Sequence, residues 1–230
     1  MLWSRLGRRY LPWVNEGGRS TWRVLLADRG ITLVGSNVSA WADVVTGNVL
    51  VATQAVSDRQ GIWTPSSATF GGQPCVDFSG LGSSAAGMRI SGPVRTSAQP
   101  FTMYLAMRKP GTGFGMIIDG VSTRYPVNAS GTTVTFEEGS GASTTVSTLT
   151  SVHIFCFKTT TPVTFSVDGT RKTMTGAGGY NGISGIDMGV FGTSYSSKGL
   201  WAAMLMHDGI DDDSTEFRVT RWLMTRFGVT

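Results

Sequence analysis

Charged side chains and long apolar runs are both scarce in this 230-residue sequence. Only 15% of the residues are charged, and 19 basic against 15 acidic side chains give a formal net charge of +4 at pH 7. No apolar run approaches the roughly 20 residues that span a bilayer, so we expect no membrane span. Beyond the N-terminal segment the basic residues are scattered among acids. No continuous phosphate-binding face is therefore predicted, and nucleic acid is not an expected partner.

Cysteine is equally scarce, with two residues in the whole chain. Cys75 and Cys156 lie in apolar, strand-like runs, where a free thiol behaves as a small buried hydrophobe. A secreted scaffold stapled by disulfides normally carries more cysteines. The first residues also lack the apolar stretch of roughly 7 to 15 residues that marks a secretory signal. We therefore expect synthesis inside a cell. The two cysteines leave a disulfide open, but nothing in the pattern indicates one.

Glycine and β-forming residues, in contrast, are abundant: the chain has 31 Gly and 40% hydrophobic residues. From about residue 31, short runs rich in Val, Ile, Thr and Phe are separated by turn residues, which predicts many strands. Residues 101–108 alternate in polarity, so one face of that strand is predicted to be core. Asp168-Gly169, between two strand-like runs, predicts a hairpin with a type I′ turn. The number of strands suits two packed sheets.

The periodicity changes near the C-terminus and predicts one short helix. Asp213 and Glu216 have the spacing of a capping box, with Asp213 as the N-cap. Gly228 supplies a C-terminal stop. The apolar residues that share one helical face are Val219, Trp222, Leu223 and Phe227. We expect this face to pack on a sheet, with Trp222 filling a large buried site.

The N-terminal segment differs in composition from the rest, so we divide the chain into an arm, residues 1–22, and one domain, residues 23–230. Trp, Tyr and Arg dominate the arm, and these residue types are enriched at interaction hot spots. The arm is either tucked along its own domain or a strap that grips a neighbouring subunit, and we favour the strap. The predicted assembly residues are Trp3, Arg5, Arg8, Arg9, Tyr10, Trp13, Arg19 and Trp22.

Several stretches, taken in their order along the chain, resemble one known family. They are residues 27–33 (ADRGITL) and 38–43 (VSAWAD), 72–80 (GQPCVDFSG), 165–169 (FSVDG), and 201–207 (WAAMLMH) followed by 213–216 (DSTE) and 226–228 (RFG). Together they resemble the laminin-G-like, concanavalin A-like lectin/glucanase family, particularly the versions found in bacteriophage virion proteins. The resemblance implies an all-β fold, a two-sheet jelly-roll sandwich with one short C-terminal α-helix.

The same resemblance implies a function in binding or assembly. Our main hypothesis is a bacteriophage virion structural protein, a capsid decoration or tail-associated component made in the host cytoplasm. Its partners would be other virion proteins, copies of itself and cell-surface glycans, with no cofactor. The alternative is a cellular carbohydrate-binding lectin module, or a glycoside hydrolase on the same fold. Because a fold alone does not decide function, these alternatives stay open.

No catalytic residue is predicted, and we expect that the chain is not an enzyme. Family members that hydrolyse polysaccharides resemble one another in a strand with spaced acids, since hydrolysis needs two carboxyl groups. The nearest pattern is Glu137-Glu138, whose side chains would point to opposite faces of a strand. The two histidines, His153 and His207, lack metal-ligand spacing. A Ser–His–Asp triad is conceivable, but no serine lies in a nucleophile-elbow sequence.

Two segments are candidates for ligand binding. The Gly- and Ser-rich residues 176–197 predict an exposed binding loop, where aromatic rings could pack on sugars. The candidate glycan-binding residues are Tyr180, Asn181 and Tyr195. The acidic run before the helix contains candidate calcium ligands, namely Asp208, Asp211 and Asp212. Acids at a helix start are also favoured by the helix dipole, so we predict no required metal.

Overall fold

The structure describes most, but not all, of the chain. Our computed structural model describes residues 22–45, 51–79, 88–90, 100–109, 111, 115–120, 127–136, 142–160, 162–175, 186–188, 190–191, 195–196 and 199–230. The strands in chain order are β1 (Trp22–Leu26), β2 (Ile31–Val34), β3 (Asn37–Ala42), β4 (Val51–Thr53), β5 (Ile62–Ser67), β6 (Gln73–Asp77), β7 (Met88–Ile90), β8 (Phe101–Arg108), β9 (Gly115–Gly120), β10 (Val127–Ser130), β11 (Thr133–Phe136), β12 (Ala142–Thr145), β13 (His153–Lys158), β14 (Thr164–Val167), β15 (Thr170–Lys172), β16 (Ile186–Met188), β17 (Val190–Phe191), β18 (Tyr195–Ser196) and β19 (Leu200–Asp208). Helix α1 is Asp213–Phe227, and two short 3-10 turns are Ser57–Arg59 and Ala68–Phe70.

The strands form an antiparallel β-sandwich, which confirms the predicted all-β fold with one C-terminal helix. One layer, the central sheet, has the order β1-β19-β8-β13-β14-β15. The other layer, the outer sheet, has the order β2-β3-β4-β7-β16-β9-β10-β11-β12. The β5–β6 hairpin pairs with β19 on one side and with β3 on the other, so hydrogen bonding continues from one layer to the next.

The central sheet is buried on both faces, because α1 covers the face that the outer sheet leaves free. In β8, Met103 and Leu105 belong to the core between the sheets, whereas Tyr104 and Ala106 belong to the core beneath α1. The predicted alternation is therefore confirmed. The expectation that only one face is core is wrong, because the helix shields the second face from water.

The N-cap of helix α1 lies one residue earlier in the sequence than predicted. Asp212, not Asp213, is the N-cap, and its side chain accepts a 2.7 Å hydrogen bond from the Thr215 amide. Glu216 does not reach back to the cap, because it lies on the buried face of the helix and its carboxylate pairs with Lys158. Hydrogen bonds from Thr215 hold the pKa of Asp212 below its usual range. At the other end, Gly228 has a left-handed φ of 66° and closes the helix as predicted.

The burial of Trp222 and of Trp22 differs from the prediction for each residue. Trp222 is half-buried at the margin of the helix core, with the Arg226 guanidinium 5.3 Å from the centre of its ring, so it does not fill a large buried site. Trp22 belongs to β1 and is 1% exposed. It stacks on His207 with ring centres 4.6 Å apart. Trp22 is therefore a core residue of the domain, and the other predicted arm residues lie outside the described part.

The conformation of the β14–β15 turn and the burial of the two cysteines are as the sequence predicts. Asp168 and Gly169 have φ angles of 51° and 77°, as the predicted type I′ turn requires. Cys75 and Cys156 are buried and form no disulfide. Within the described ranges, no helix has both the length and the apolar character needed to cross a membrane.

Leu223 should contribute more to stability than Trp222, because Leu223 is fully buried against the central sheet. We expect Leu223→Ala to lower the free energy of unfolding by about 2–5 kcal/mol through lost burial and the remaining cavity. Phe217→Ala, at a helix position that is 64% exposed, is the matched control. It should change that free energy by about 0.5 kcal/mol or less. Urea denaturation measures both, and equal effects would mean that α1 is not docked through this face.

Candidate functional site

An open cleft of about 510 Å³ lies where one end of the central sheet meets the C-terminal end of α1. Its walls come from five separate parts of the chain: the Ala68–Phe70 turn, the end of β8, the segment that leads into β13, the β14–β15 turn, and the residues that follow α1. The lining residues are Thr69, Arg108, Thr150, Ser151, Val152, His153, Asp168, Gly228, Val229 and Thr230.

One wall of the cleft exists because the Ala68–Phe70 turn packs tightly on the end of α1. Gly71 and Gly228 both have left-handed φ angles, and a Cβ on Gly71 would lie 3.4 Å from the Gly228 nitrogen. Phe70 and Phe227 pack edge to face with ring centres 5.9 Å apart. This contact holds Thr69 and the residues after the helix in one continuous wall.

The opposite wall carries a paired histidine and aspartate. The distance from His153 Nδ1 to Asp168 Oδ2 is 2.6 Å, and Asp168 Oδ1 accepts a 2.7 Å hydrogen bond from the Ile154 amide. An ionised carboxylate only accepts hydrogen bonds, so Nδ1 donates and carries a proton. His153 is 8% exposed, and its Nε2 has no hydrogen-bond partner among the described residues. The Nε2 atom is itself buried, so His153 lines the cleft without offering this nitrogen to the open volume.

Arg108 lies in the same cleft, at the end of β8. Its Nε donates a 2.6 Å hydrogen bond to the Thr150 carbonyl oxygen, which fixes the plane of the guanidinium. The Thr150 hydroxyl is 2.8 Å from the Thr148 hydroxyl. The cleft thus combines a guanidinium, an imidazole, a carboxylate and hydroxyl groups around an open volume. Such a set can bind a ligand that both donates and accepts hydrogen bonds.

A second polar cluster is buried beneath the start of α1. The Tyr104 hydroxyl donates a 2.5 Å hydrogen bond to Asp211, and His207 Nδ1 bonds the other carboxylate oxygen. The Asp211 amide donates to the Thr102 hydroxyl at 2.9 Å. Burial raises the pKa of Tyr104 far above its ordinary value, so this phenol stays protonated. The cluster links β8 and β19 to the loop before the helix.

The candidate calcium ligands have different partners from one another. Asp211 bonds Tyr104, Asp212 caps the helix, and Asp208 lies 3.8 Å from Arg23. In the part of the chain that the structure covers, no three His, Cys, Asp or Glu side chains are grouped as metal ligands. The acidic run is therefore divided between the buried cluster and the helix cap.

The structure does not test the predicted glycan-binding residues or the paired glutamates. Tyr180 and Asn181 lie outside the described residues, as do Glu137 and Glu138. Tyr195 is in β18, and nothing is described of its side chain. These predictions are therefore untested.

The aspartate partners of the two histidines were missed by the sequence reasoning. His153 pairs with Asp168 in the predicted hairpin turn, and His207 pairs with Asp211 four residues later. The strand patterns showed that both histidines are packed but gave no partner. No triad is completed at His153, because no described serine bonds its Nε2.

Comparisons with solved structures place the fold among β-sandwich domains. The chain is similar to Trypanosoma rangeli sialidase in complex with sialic acid, with a TM-score of 0.56 and 13% identity, over 88% of this chain and 32% of the sialidase. It is also similar to the receptor-binding domain of botulinum neurotoxin type G, with a TM-score of 0.58 and 10% identity, over 86% of this chain and 50% of that domain. No family model matches the sequence, and no curated protein matches it significantly.

The similarity to sialidases overturns the expectation that the chain is not an enzyme. We withdraw that expectation, because the matched proteins include enzymes. The chain spans about a third of the length of these sialidases at 12–13% identity, so the likeness shows the fold alone. It assigns no activity, and the phage-type subfamily suggested by the sequence has no match here.

Alkaline pH should destabilise the domain, because burial raises the pKa of Cys75, Cys156 and Tyr104. In the unfolded chain the thiols lose their protons near pH ~8.5 and the phenol near ~10, while the folded chain keeps them. The unfolded state then binds fewer protons, so the free energy of unfolding falls as the pH rises above about 8.5.

Urea denaturation at a series of pH values measures this fall. The double variant Cys75→Ala, Cys156→Ala should show a shallower decline between neutral pH and the phenol's titration than the parent. Parallel curves for the two proteins would contradict the raised thiol pKa values.

Proposed function

We propose that this β-sandwich domain binds carbohydrate and that the cleft beside Arg108 and His153 is the binding site. The observation that supports this proposal is the cleft itself, an open volume lined by donors and acceptors from five chain segments. Sugar hydroxyls donate and accept hydrogen bonds, so they match a surface that offers both. The Thr69 and Ser151 hydroxyls on the cleft wall can donate to a sugar hydroxyl or accept from one.

The size of the cleft supports a small saccharide. Its volume of about 510 Å³ lies within the range of about 300–1,000 Å³ that is usual for small-ligand pockets. The His153–Asp168 pair and the Arg108–Thr150 bond hold polar groups in place before a ligand arrives. Pre-ordered groups lose less conformational entropy on binding than mobile ones.

The structural neighbours support a carbohydrate ligand at the level of the fold. One of them is a sialidase in complex with sialic acid, and another is a neurotoxin receptor-binding domain. The inference from these proteins to this chain is an analogy, because one fold hosts many functions. The proposal therefore rests on the cleft, and the structural neighbours only favour carbohydrate as the class of ligand.

Filling the cleft should abolish binding without unfolding the domain. Ser151→Trp puts a large side chain at an exposed position on the cleft wall, and Ser57→Trp is the matched control at an exposed position in another turn. We expect Ser151→Trp to weaken glycan affinity about tenfold or more by excluding the ligand, with the control unchanged. A glycan array identifies the ligands, and calorimetry measures the affinities.

Two results would count against this proposal. If Ser151→Trp binds as tightly as the parent, the site lies elsewhere on the domain. If the parent binds no glycan, carbohydrate binding itself is wrong. Thermal melting of both tryptophan variants shows whether a lost affinity reflects a lost fold.

The finer hypothesis is that the domain is displayed on a bacteriophage virion and attached by the N-terminal arm. It rests on the sequence resemblance and on the composition of the arm. The fold similarity favours the alternative hypothesis, a carbohydrate-binding lectin module, over the virion hypothesis. Display in many copies would strengthen weak glycan binding through multivalency, so the two hypotheses are compatible.

A matched pair of truncations tests the arm. Deleting residues 1–21 keeps Trp22 and should leave a folded domain that no longer self-associates or joins a particle, because the hot-spot residues are gone. Deleting residues 1–22 also removes the indole that stacks on His207. That second truncation should cost about 3–5 kcal/mol of stability, as buried aromatic truncations do.

Sedimentation and thermal melting measure the two truncations. A chain lacking residues 1–21 that keeps the oligomeric state of a full-length oligomer, or a full-length chain that is monomeric and joins no particle, would rule out the strap. Equal melting temperatures for the two truncations would show that Trp22 adds nothing to the core.

A further inference from the structure

We propose that the cleft selects acidic saccharides, with Arg108 as the residue that binds the sugar carboxylate. This inference rests on the proposed function and narrows its ligand class. Its basis is a guanidinium on the cleft wall, that of Arg108, which has no carboxylate within ion-pair distance among the described residues. Hydroxyl groups lie beside it in the same cleft.

Arg108 differs from other arginines of the domain in its surroundings. Its Nε bonds the Thr150 carbonyl oxygen, and no carboxylate of the described residues lies within ion-pair distance of it. By contrast, several arginines lie beside an aspartate. These are Arg23 with Asp208, Arg29 and Arg226 with Asp28, and Arg171 with Asp213.

The one acidic side chain of the cleft is already engaged. Asp168 uses one carboxylate oxygen for His153 Nδ1 and the other for the Ile154 amide. Both oxygens of Asp168 are therefore occupied by the protein's own donors, and Asp168 is not within ion-pair distance of the Arg108 guanidinium, which lines the open volume. Among the described groups, the terminal nitrogens of Arg108 have no hydrogen-bond partner.

The geometry suits a carboxylate better than a hydroxyl at this position. A guanidinium offers parallel N–H groups that match both oxygens of a carboxylate, and such charge-assisted pairs are roughly twice as strong as neutral ones. The Thr150 bond at Nε orients the plane and leaves the terminal nitrogens for the ligand.

The remaining lining indicates a sugar acid rather than a small ion. The cleft volume of about 510 Å³ greatly exceeds what a carboxylate alone requires. The Thr69 and Ser151 hydroxyls supply neutral hydrogen-bonding groups for ring hydroxyls. A ligand with one carboxylate and several hydroxyls satisfies both kinds of group together.

The test compares acids with their own esters. The probes are sialyllactose and tetragalacturonic acid, each paired with its methyl ester, with lactose as a neutral sugar. We expect an acid to bind about tenfold or more tightly than its ester, since the ester cannot pair bidentately with Arg108. Raising the NaCl concentration should weaken the acid and not the ester.

Arg108→Gln should remove this selectivity. The variant keeps a hydrogen-bonding side chain but loses the charge, so we expect about a tenfold loss for the acid and little change for the ester. Arg221→Gln, on the exposed side of α1, is the control for net charge and should bind as the parent does. Arg108→Lys should recover part of the affinity for the acid. Melting temperatures confirm that each variant is folded.

The outcomes separate this inference from the proposed function. If acid and ester bind equally, if lactose binds and neither acid does, or if Arg108→Gln weakens acid and ester alike, anion selection is wrong and carbohydrate binding stands. If no acid, ester or neutral sugar binds the folded parent, both proposals fail. Selective binding that Arg108→Gln leaves intact would place the anion site elsewhere and overturn the role of Arg108.

Discussion

Burial of the central sheet on both faces is the constraint on which the other features depend. The outer sheet covers one face and α1 covers the other, so strands such as β8 and β13 have no solvent-exposed side along most of their length. Any polar group on the helix-facing side must then find a partner within the protein. Lys158 does so with Glu216, and Tyr104 does so with Asp211. The helix and its preceding loop supply both carboxylates.

These buried pairs determine the position of α1 along the central sheet. Lys158 Nζ is 2.6 Å from Glu216, and the Ser166 hydroxyl donates to the same carboxylate. A shift of the helix by one turn would leave a buried charge without its partner, which costs far more than the pair contributes. Apolar contacts such as Leu223 supply docking energy, while the polar pairs select the register. The end of the helix, and with it one wall of the cleft, is thereby fixed.

Local features of the fold were predictable, and features that depend on distant segments were not. The alternation in β8 and the Asp168-Gly169 turn are properties of a few adjacent residues, and both were confirmed. Three features were predicted wrongly: the second buried face of β8, the inward-facing carboxylate of Glu216 and the position of Trp222 at the margin of the core. Each depends on which face of the central sheet α1 covers, and that is decided by contacts between segments far apart in the sequence. The cleft is the extreme case, because Arg108, His153 and Thr230 meet only after the sheet and helix have docked.

The proposed ligand binding at the cleft would be physically coupled to docking of the helix. One wall belongs to the central sheet, through Arg108 and Asp168, and the other follows α1, held by the contact of Gly71 with Gly228. A ligand that contacts both walls binds only when the helix end is seated, so binding energy adds to docking energy. Arg108 and Ser151, which line the cleft, belong to neither hydrophobic core. Shared architecture at about 10–13% identity is therefore compatible with different ligands.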